Sequence, residues 1–143
     1  MTFGEVVMQK TLIDTDILSE FLRGKNANVV RRAGEYLQEH GRFAMSVLTV
    51  FEVVRGRHQA NQIERAAQFL AWVRGCEVVH FDAECAQLGG KIAGALLRTG
   101  TTVGVADVLI ATTAIVHQLT LVTGNVDHYQ RMVPFGLTIE NWR

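Results

Sequence analysis

The stretch TLIDTDIL, residues 11–18, sets two carboxylates, Asp14 and Asp16, among Leu12, Ile13, Ile17 and Leu18. Glu52, between Phe51 and Val53, and Asp107, between Ala106 and Val108, stand in similarly apolar company. Each acid taken singly has a plain explanation. Asp107 suits an N-cap, Asp16 the first turn of a helix where the macrodipole favours negative charge, and Glu52 a solvated position paired to Arg55 one turn on. Brought together, buried carboxylates repel one another and call for protons or a cation. A hard divalent ion, Mg²⁺ or Mn²⁺, prefers oxygen ligands, keeps several waters and takes few carboxylates from the protein. Asp14, Asp107 and Glu52 are therefore candidate metal ligands.

The elements that must position these acids are legible in the apolar pattern. TLID reads as a short buried strand and DILSEFLRG as a helix with apolar positions Ile17, Leu18, Phe21 and Leu22, stopped at Gly24. NVVRRAGEYLQEHG reads as a second helix closed by Gly41, and RFAMS as a second strand. VLTVFEVVRGRH places Val47, Val50, Phe51 and Val54 on one helical face, with Glu52 and Arg55 on the next. IERAAQFLAWVRG continues as a helix, and EVVHF is a third strand. Asp82 is placed to cap the helix AECAQLGGKIAGALLRTG. ADVLIATTAIVHQ is apolar nearly all round, as a central helix is. LTLVTGN gives a fourth strand, and GLTIENW a fifth at the edge. Strands alternating with helices predict an α/β domain with a central, mostly parallel four- to five-stranded sheet flanked by helices. In such a sheet ligands gather beyond the carboxyl ends of strands, where Asp14 falls.

Composition narrows the function. The 143 residues fit one domain, residues 1–143, in which residues 1–9 are set apart as an N-terminal extension and Met8 offers a second start. An apolar content of 48% with a single proline excludes a disordered chain. Fourteen basic residues balance fourteen acidic ones, so a polyanion must be held by a local patch. Cys76 and Cys85 lack CxxC spacing and read as reduced thiols. Neither a membrane-spanning run nor a signal-peptide pattern is found, and the expected location is the cytoplasm.

LIDTDILSEFLRG, SVLTVFEVVRG, GVADVLIATTAIVHQLTLVTGNVDHY and GLTIENW resemble, in order, the four blocks of the PIN (PilT N-terminus) domain, most closely in VapC-type toxins of toxin–antitoxin pairs. The resemblance runs from about residue 10 to 143. It implies a single PIN-like α/β domain acting as a Mg²⁺-dependent endoribonuclease, with tRNA, including initiator tRNA, as substrate. It also implies a cognate antitoxin whose C-terminal segment blocks the acidic pocket, and a homodimer, for which Phe69, Trp72 and the LGGKIAGALL helix offer apolar residues that would serve equally well in the core. Carried over by position, the family's acids are Asp14, Glu52 and Asp107. In the fourth block Asn125 stands where an acid is frequent, with Asp127 two places on, and Thr123 and Ser46 have hydroxyls suited either to orienting ligands or to structure.

The chemistry implied is metal-assisted phosphodiester hydrolysis by water, leaving 5′-phosphate and 3′-hydroxyl ends. RNA requires local positive charge: Arg23 and Lys25 follow the first helix, and Arg55, Arg57 and His58 lie beyond Glu52. Arg23 and Arg55 are the candidates for phosphate contact, against a reading in which they are solvated or pair with Glu20 and Glu52. Arg31 and Arg32 read as a solvated helix face. His117 and His128 have no metal-ligand spacing with each other or with the cysteines and read as structural. Two rival functions remain. One is a catalytically silent PIN module that binds RNA or an antitoxin. The other is a haloacid-dehalogenase-like phosphatase starting from DTD, which the sequence serves poorly because Leu18 stands where Thr or Val is wanted and no later DD pair follows.

Overall fold

Thr11–Ile13, buried along its whole length, forms β1 at the middle of a sheet. Ala44–Ser46 (β2), Glu77–Val79 (β3), Thr120–Val122 (β4) and Ile139–Glu140 (β5) complete it in the order β3-β2-β1-β4-β5, every pair parallel. The structure, a computed structural model, describes residues 8–143. Residues 1–7 of the expected extension lie outside the described residues, whereas Met8 packs on the core and its carbonyl meets His40 Nε2 at 2.9 Å.

The helices are Thr15–Arg23 (α1), Ala27–His40 (α2), Val47–Gln59 (α3), Ile63–Val73 (α4), Ala83–Arg98 (α5), Val105–Val116 (α6) and Val126–Tyr129 (α7), the last running into a 3₁₀ turn at Gln130–Phe135. The starts of α2, α3 and α5 are set by short polar side chains that accept the otherwise orphaned backbone N–H groups. Asn26 caps α2, Ser46 caps α3 and Asp82 caps α5, each accepting from an N–H of the first turn. Gly24 and Gly41, with φ of 66° and 79°, end α1 and α2 in the left-handed conformation that glycine adopts without strain.

Because successive strand residues face opposite sides, Leu12 and Ile13 seed two different apolar layers. Leu12 joins Ile92, Val108, Ile110, Leu121 and Met132. Ile13 joins Ile17, Val29, Tyr36, Phe43, Phe69 and Trp142. Trp142 is fully buried and its indole N–H donates to Glu140 Oε1 at 3.2 Å, which fixes the chain's last residues against the sheet. No helix of the described residues is long and apolar enough to cross a membrane.

Several expectations need correction. Asp107 does not cap α6: Gly104 holds that position, and Asp107 is the third helical residue. Val47, Val50, Phe51 and Val54 do share one face of α3, where they line a common depression and Phe51 stands 58% exposed. Of the two readings open for Phe69, dimer surface or core, the structure shows the core: it is 3% exposed and packs on Trp72. The LGGKIAGALL helix does expose an apolar residue, Leu97, which with Val105 borders a groove alongside Gly90, Ala93 and Leu109. Arg31 pairs with Glu35 on the solvated face as expected, but Arg32 reaches Glu140 Oε1 at 2.8 Å and ties α2 to β5. Neither α7 nor the 3₁₀ turn was foreseen, since residues 126–135 carry little apolar periodicity.

Candidate active site

β1 delivers Asp14 to its carboxyl end, and there the Asp14 backbone N–H donates to the Val122 carbonyl at 2.8 Å, anchoring the acid to the end of β4. Its side chain is 4% exposed. Oδ1 accepts the Thr15 N–H at 2.9 Å and Oδ2 the Thr123 hydroxyl at 2.8 Å. Thr123 in turn accepts the Asn125 N–H at 3.0 Å, so the loop after β4 orients the carboxylate. Burial first and the neighbouring Asp16 charge second push the Asp14 carboxyl up to about 7, Glu52 adds to the rise, and the bonds from Thr123 and Thr15 oppose it.

Glu52 reaches the same place from α3. Its Oε1 accepts the Thr15 hydroxyl at 2.9 Å, and that hydroxyl lies 3.2 Å from Thr49 Oγ1. The expected pairing with Arg55 is not formed; the Arg55 guanidinium stands 5.4 Å from the centre of the Phe51 ring instead. Asp107 enters from the first turn of α6. Its Oδ1 accepts the Tyr129 hydroxyl at 3.3 Å, and its Oδ2 lies 3.6 Å from His128 Nδ1. Burial chiefly, then the negative charges of Asp14, Asp107 and Glu52, hold the Tyr129 hydroxyl firmly un-ionised. Thr15 joins Asp14 to Glu52, giving its N–H to the one and its hydroxyl to the other.

Asp14, Glu52 and Asp107 do not close on a single point. Among the described residues, Asp82, Cys85 and His117 are the His, Cys, Asp or Glu trio whose ligand atoms all lie within 4.8 Å of one another; Asp14, Glu52 and Asp107 do not form one. Oxygen donors at this wider spacing fit an ion that retains part of its water shell, the habit of Mg²⁺. A buried carboxylate whose neighbours are acids is also what a cation would relieve.

Asp16 is engaged elsewhere. Its Oδ2 accepts the Gly124 N–H at 2.9 Å and lies 3.4 Å from Arg143, whose Nε donates to Glu20 Oε1 at 2.7 Å. A Cβ at Gly124 would meet the Arg143 guanidinium, the movable end of a long side chain, and Asp16 Oδ2. Glu20 therefore binds Arg143 and not Arg23. Asn125 and Asp127 are exposed, before and within α7, and Ser46 is occupied as the α3 cap. Arg23 and Arg55 are not brought together. Arg23 lines a polar cavity of 830 Å³ with Lys25, Arg57 and Arg65, while Arg55 borders an apolar depression with Val50 and Phe51.

Thr15, Tyr129, His128 and Arg143 are site neighbours that sequence reasoning missed. Thr15 lay inside the quoted DTD; the other three carry no spacing signal, since Tyr129 and Asp107 are 22 residues apart and Arg143 and Asp16 are 127 apart.

The raised carboxyl sets a pH dependence. Asp14 has a higher pKa folded than its ordinary 3.8, so the folded chain holds the proton longer than the unfolded one. Its contribution to stability is present in full below the ordinary carboxylate value and is lost as the pH rises through about 7. The melting temperature of the metal-free protein is therefore expected to fall across that window, and to fall less in Asp14→Asn. Scanning calorimetry at stepped pH checks this, and parallel curves for the two proteins would contradict it.

The sequence matches the PIN domain family over residues 11–133. The chain is 31% identical over 132 residues to Ribonuclease VapC1 of Methanocaldococcus jannaschii, covering 91% of this chain and 86% of the relative. It is also 31% identical over 136 residues to the tRNA(fMet)-specific endonuclease VapC of Shigella flexneri, covering 94% of this chain and 99% of the relative. Among solved structures, DNA-bound VapBC from Salmonella typhimurium superposes with a TM-score of 0.81 at 28% identity, covering 95% of this chain and all of that one.

Proposed function

The chain belongs to the PIN domain family, and from that membership we propose that it is the toxin of a toxin–antitoxin pair, an endoribonuclease that hydrolyses phosphodiester bonds in tRNA with the help of Mg²⁺ or Mn²⁺. The observation that carries the reading is the bridge Thr15 makes between two of the acids, its N–H going to Asp14 and its hydroxyl to Glu52, with Asp107 presented from the first turn of α6. Relatives named as ribonucleases and as a tRNA(fMet)-specific endonuclease support it.

Asp14 and Asp107 would hold the ion, with Glu52 reaching it through water. When bound, such an ion supplies Lewis-acid polarisation of a phosphoryl oxygen and neutralises charge developing in the transition state. The protein's own groups do the positioning. Thr123 and the Thr15 N–H fix both Asp14 oxygens. Tyr129 holds one oxygen of Asp107. The Thr15 hydroxyl takes Glu52 Oε1, leaving Oε2 to accept from an attacking water and aim it at phosphorus. Water as nucleophile leaves a 5′-phosphate and a 3′-hydroxyl.

The cognate antitoxin is the partner proposed, its C-terminal segment covering the acidic pocket; VapBC-5 of Mycobacterium tuberculosis, of similar fold, is a member of the VapBC family of toxin–antitoxin systems. A homodimer is proposed through the Leu97 and Val105 groove in place of Phe69. The test is incubation of purified, antitoxin-free protein with total tRNA in Mg²⁺, in Mn²⁺ and in EDTA, with fragments sequenced. Discrete cuts that disappear in EDTA are expected; no cuts from folded protein would favour the silent module.

RNA would be held along the cavity where Arg23, Lys25, Arg57 and Arg65 gather. Removing one cation from its phosphate should lower the slope of log affinity against log salt by roughly 0.7–0.9. Arg57→Ala and Arg65→Ala are expected to flatten that slope and weaken binding, and Arg55→Ala, stacked on Phe51, to flatten it less. Equal slopes in wild type and Arg57→Ala, measured by filter binding from low to high salt, would remove this cavity from the RNA path.

A further inference from the structure

Asp82, Cys85 and His117 offer a carboxylate oxygen, a thiol sulfur and an imidazole nitrogen that all lie within 4.8 Å of one another. The acids of the active site have no part in this cluster. Asp107 and His117 both belong to the α6 segment but are ten residues apart, about 15 Å along a helix. Two of the three groups are already held in place. Asp82 Oδ1 caps α5 by accepting the Cys85 N–H at 2.9 Å, so the carboxylate and the thiol share one helical turn. His117 closes α6, and its Nε2 meets the His80 carbonyl at 3.1 Å. With Nε2–H donated to that carbonyl, Nδ1 carries the lone pair, and an imidazole fixed to a backbone carbonyl is the arrangement that metal-bound histidines ordinarily show. The thiol is fully buried and free of any disulfide.

We propose that Asp82, Cys85 and His117 form a second cation site, selective for Zn²⁺ over Mg²⁺, that clamps the start of α5 to the end of α6. The donor set decides the selectivity: thiolate and imidazole suit zinc, whereas Mg²⁺ demands oxygen. Ligand atoms on one tetrahedral zinc stand about 3.3–3.6 Å apart, so binding would draw the three groups closer together than the 4.8 Å within which they now lie. Binding forms bonds to sulfur, nitrogen and oxygen, leaves a fourth position for water, and releases the Cys85 thiol proton to solvent. Since α6 also carries Asp107, zinc would stiffen the helix that presents one of the acids.

Co²⁺ is the probe, because a thiolate ligand gives it a near-ultraviolet charge-transfer band and tetrahedral geometry gives it intense visible bands. The full chain, titrated with Co²⁺, is expected to develop both, to lose them on adding one equivalent of Zn²⁺, and to keep them in excess Mg²⁺. Cys85→Ser should abolish the charge-transfer band. His117→Asn, at a helix end where folding is not at risk, should weaken Co²⁺ binding at least about tenfold. Asp14→Asn should leave both bands unchanged, which separates this site from the acidic pocket. Absence of the charge-transfer band in folded wild-type protein, or an unaltered titration in His117→Asn, overturns the proposal.

Discussion

Asp14→Asn is expected to abolish RNA cleavage while making the metal-free protein more stable at neutral pH. The two effects have one cause. Asp14 is buried at the meeting point of β1 and β4 with Asp16 and Glu52 nearby, and its charge is tolerated at a cost that shows in a carboxyl raised to about 7. Asparagine keeps an oxygen for the Thr123 hydroxyl or the Thr15 N–H and removes the charge. The melting temperature should therefore rise at pH 8 in EDTA and change little at pH 4. Removing a group that only orients a metal ligand costs about 10–100-fold, so loss of a ligand itself should exceed that range. Melting curves and single-turnover cleavage on the same preparations check both. A variant that is active, or inactive only because it is unfolded, would contradict the role given to Asp14.

Asp107→Asn carries the second largest effect. Gly104 begins α6 without help from Asp107, so the helix should persist, and the substitution loses only the favourable placement of negative charge in a first turn, worth about 0.3–1 kcal/mol. Cleavage should again drop by more than about 100-fold. Tyr129→Phe separates positioning from ligation, because it removes the hydroxyl that Asp107 accepts and leaves the carboxylate. Its cleavage should fall within the roughly 10–100-fold range, and its Mn²⁺ affinity should weaken without disappearing. If Tyr129→Phe matched Asp107→Asn in both activity and metal binding, the tyrosine would be more than a support.

How much of this was visible in the chain follows from what each feature depends on. The order of strands and helices was legible because Leu12, Ile13, Leu121 and Val122 form short apolar runs bounded by polar residues, and because Asn26, Ser46 and Asp82 sit where helices start. Asp14 was legible as a strand-end acid for the same reason. What depends on tertiary juxtaposition was not. Nothing in the spacing tells that Thr15 serves Glu52 across 37 residues, or that Tyr129 meets Asp107. Helical periodicity gave the shared face of Val47, Val50, Phe51 and Val54 but not the neighbour it meets, so that Phe51 stands exposed and Phe69 lies in the core could not be read from spacing. Arg143 took the place expected of Arg23 beside Glu20, since the burial of Trp142 brings the following residue over Gly124. Cys85 and His117, read as unrelated, are joined by the packing of α5 on α6, where Gly89 lies close against Thr112.

The central claim is that the pocket of Asp14, Glu52 and Asp107 hydrolyses RNA with water as the nucleophile, and cleavage of a tRNA by the purified protein in ¹⁸O-labelled water tests it most directly. Mass spectrometry of the fragments should find one labelled oxygen on each new 5′-phosphate, an unmodified 3′-hydroxyl opposite it, and no product with Asp14→Asn or in EDTA. Fragments ending in a 2′,3′-cyclic phosphate, or label-free ends produced equally by the Asp14→Asn variant, would contradict it.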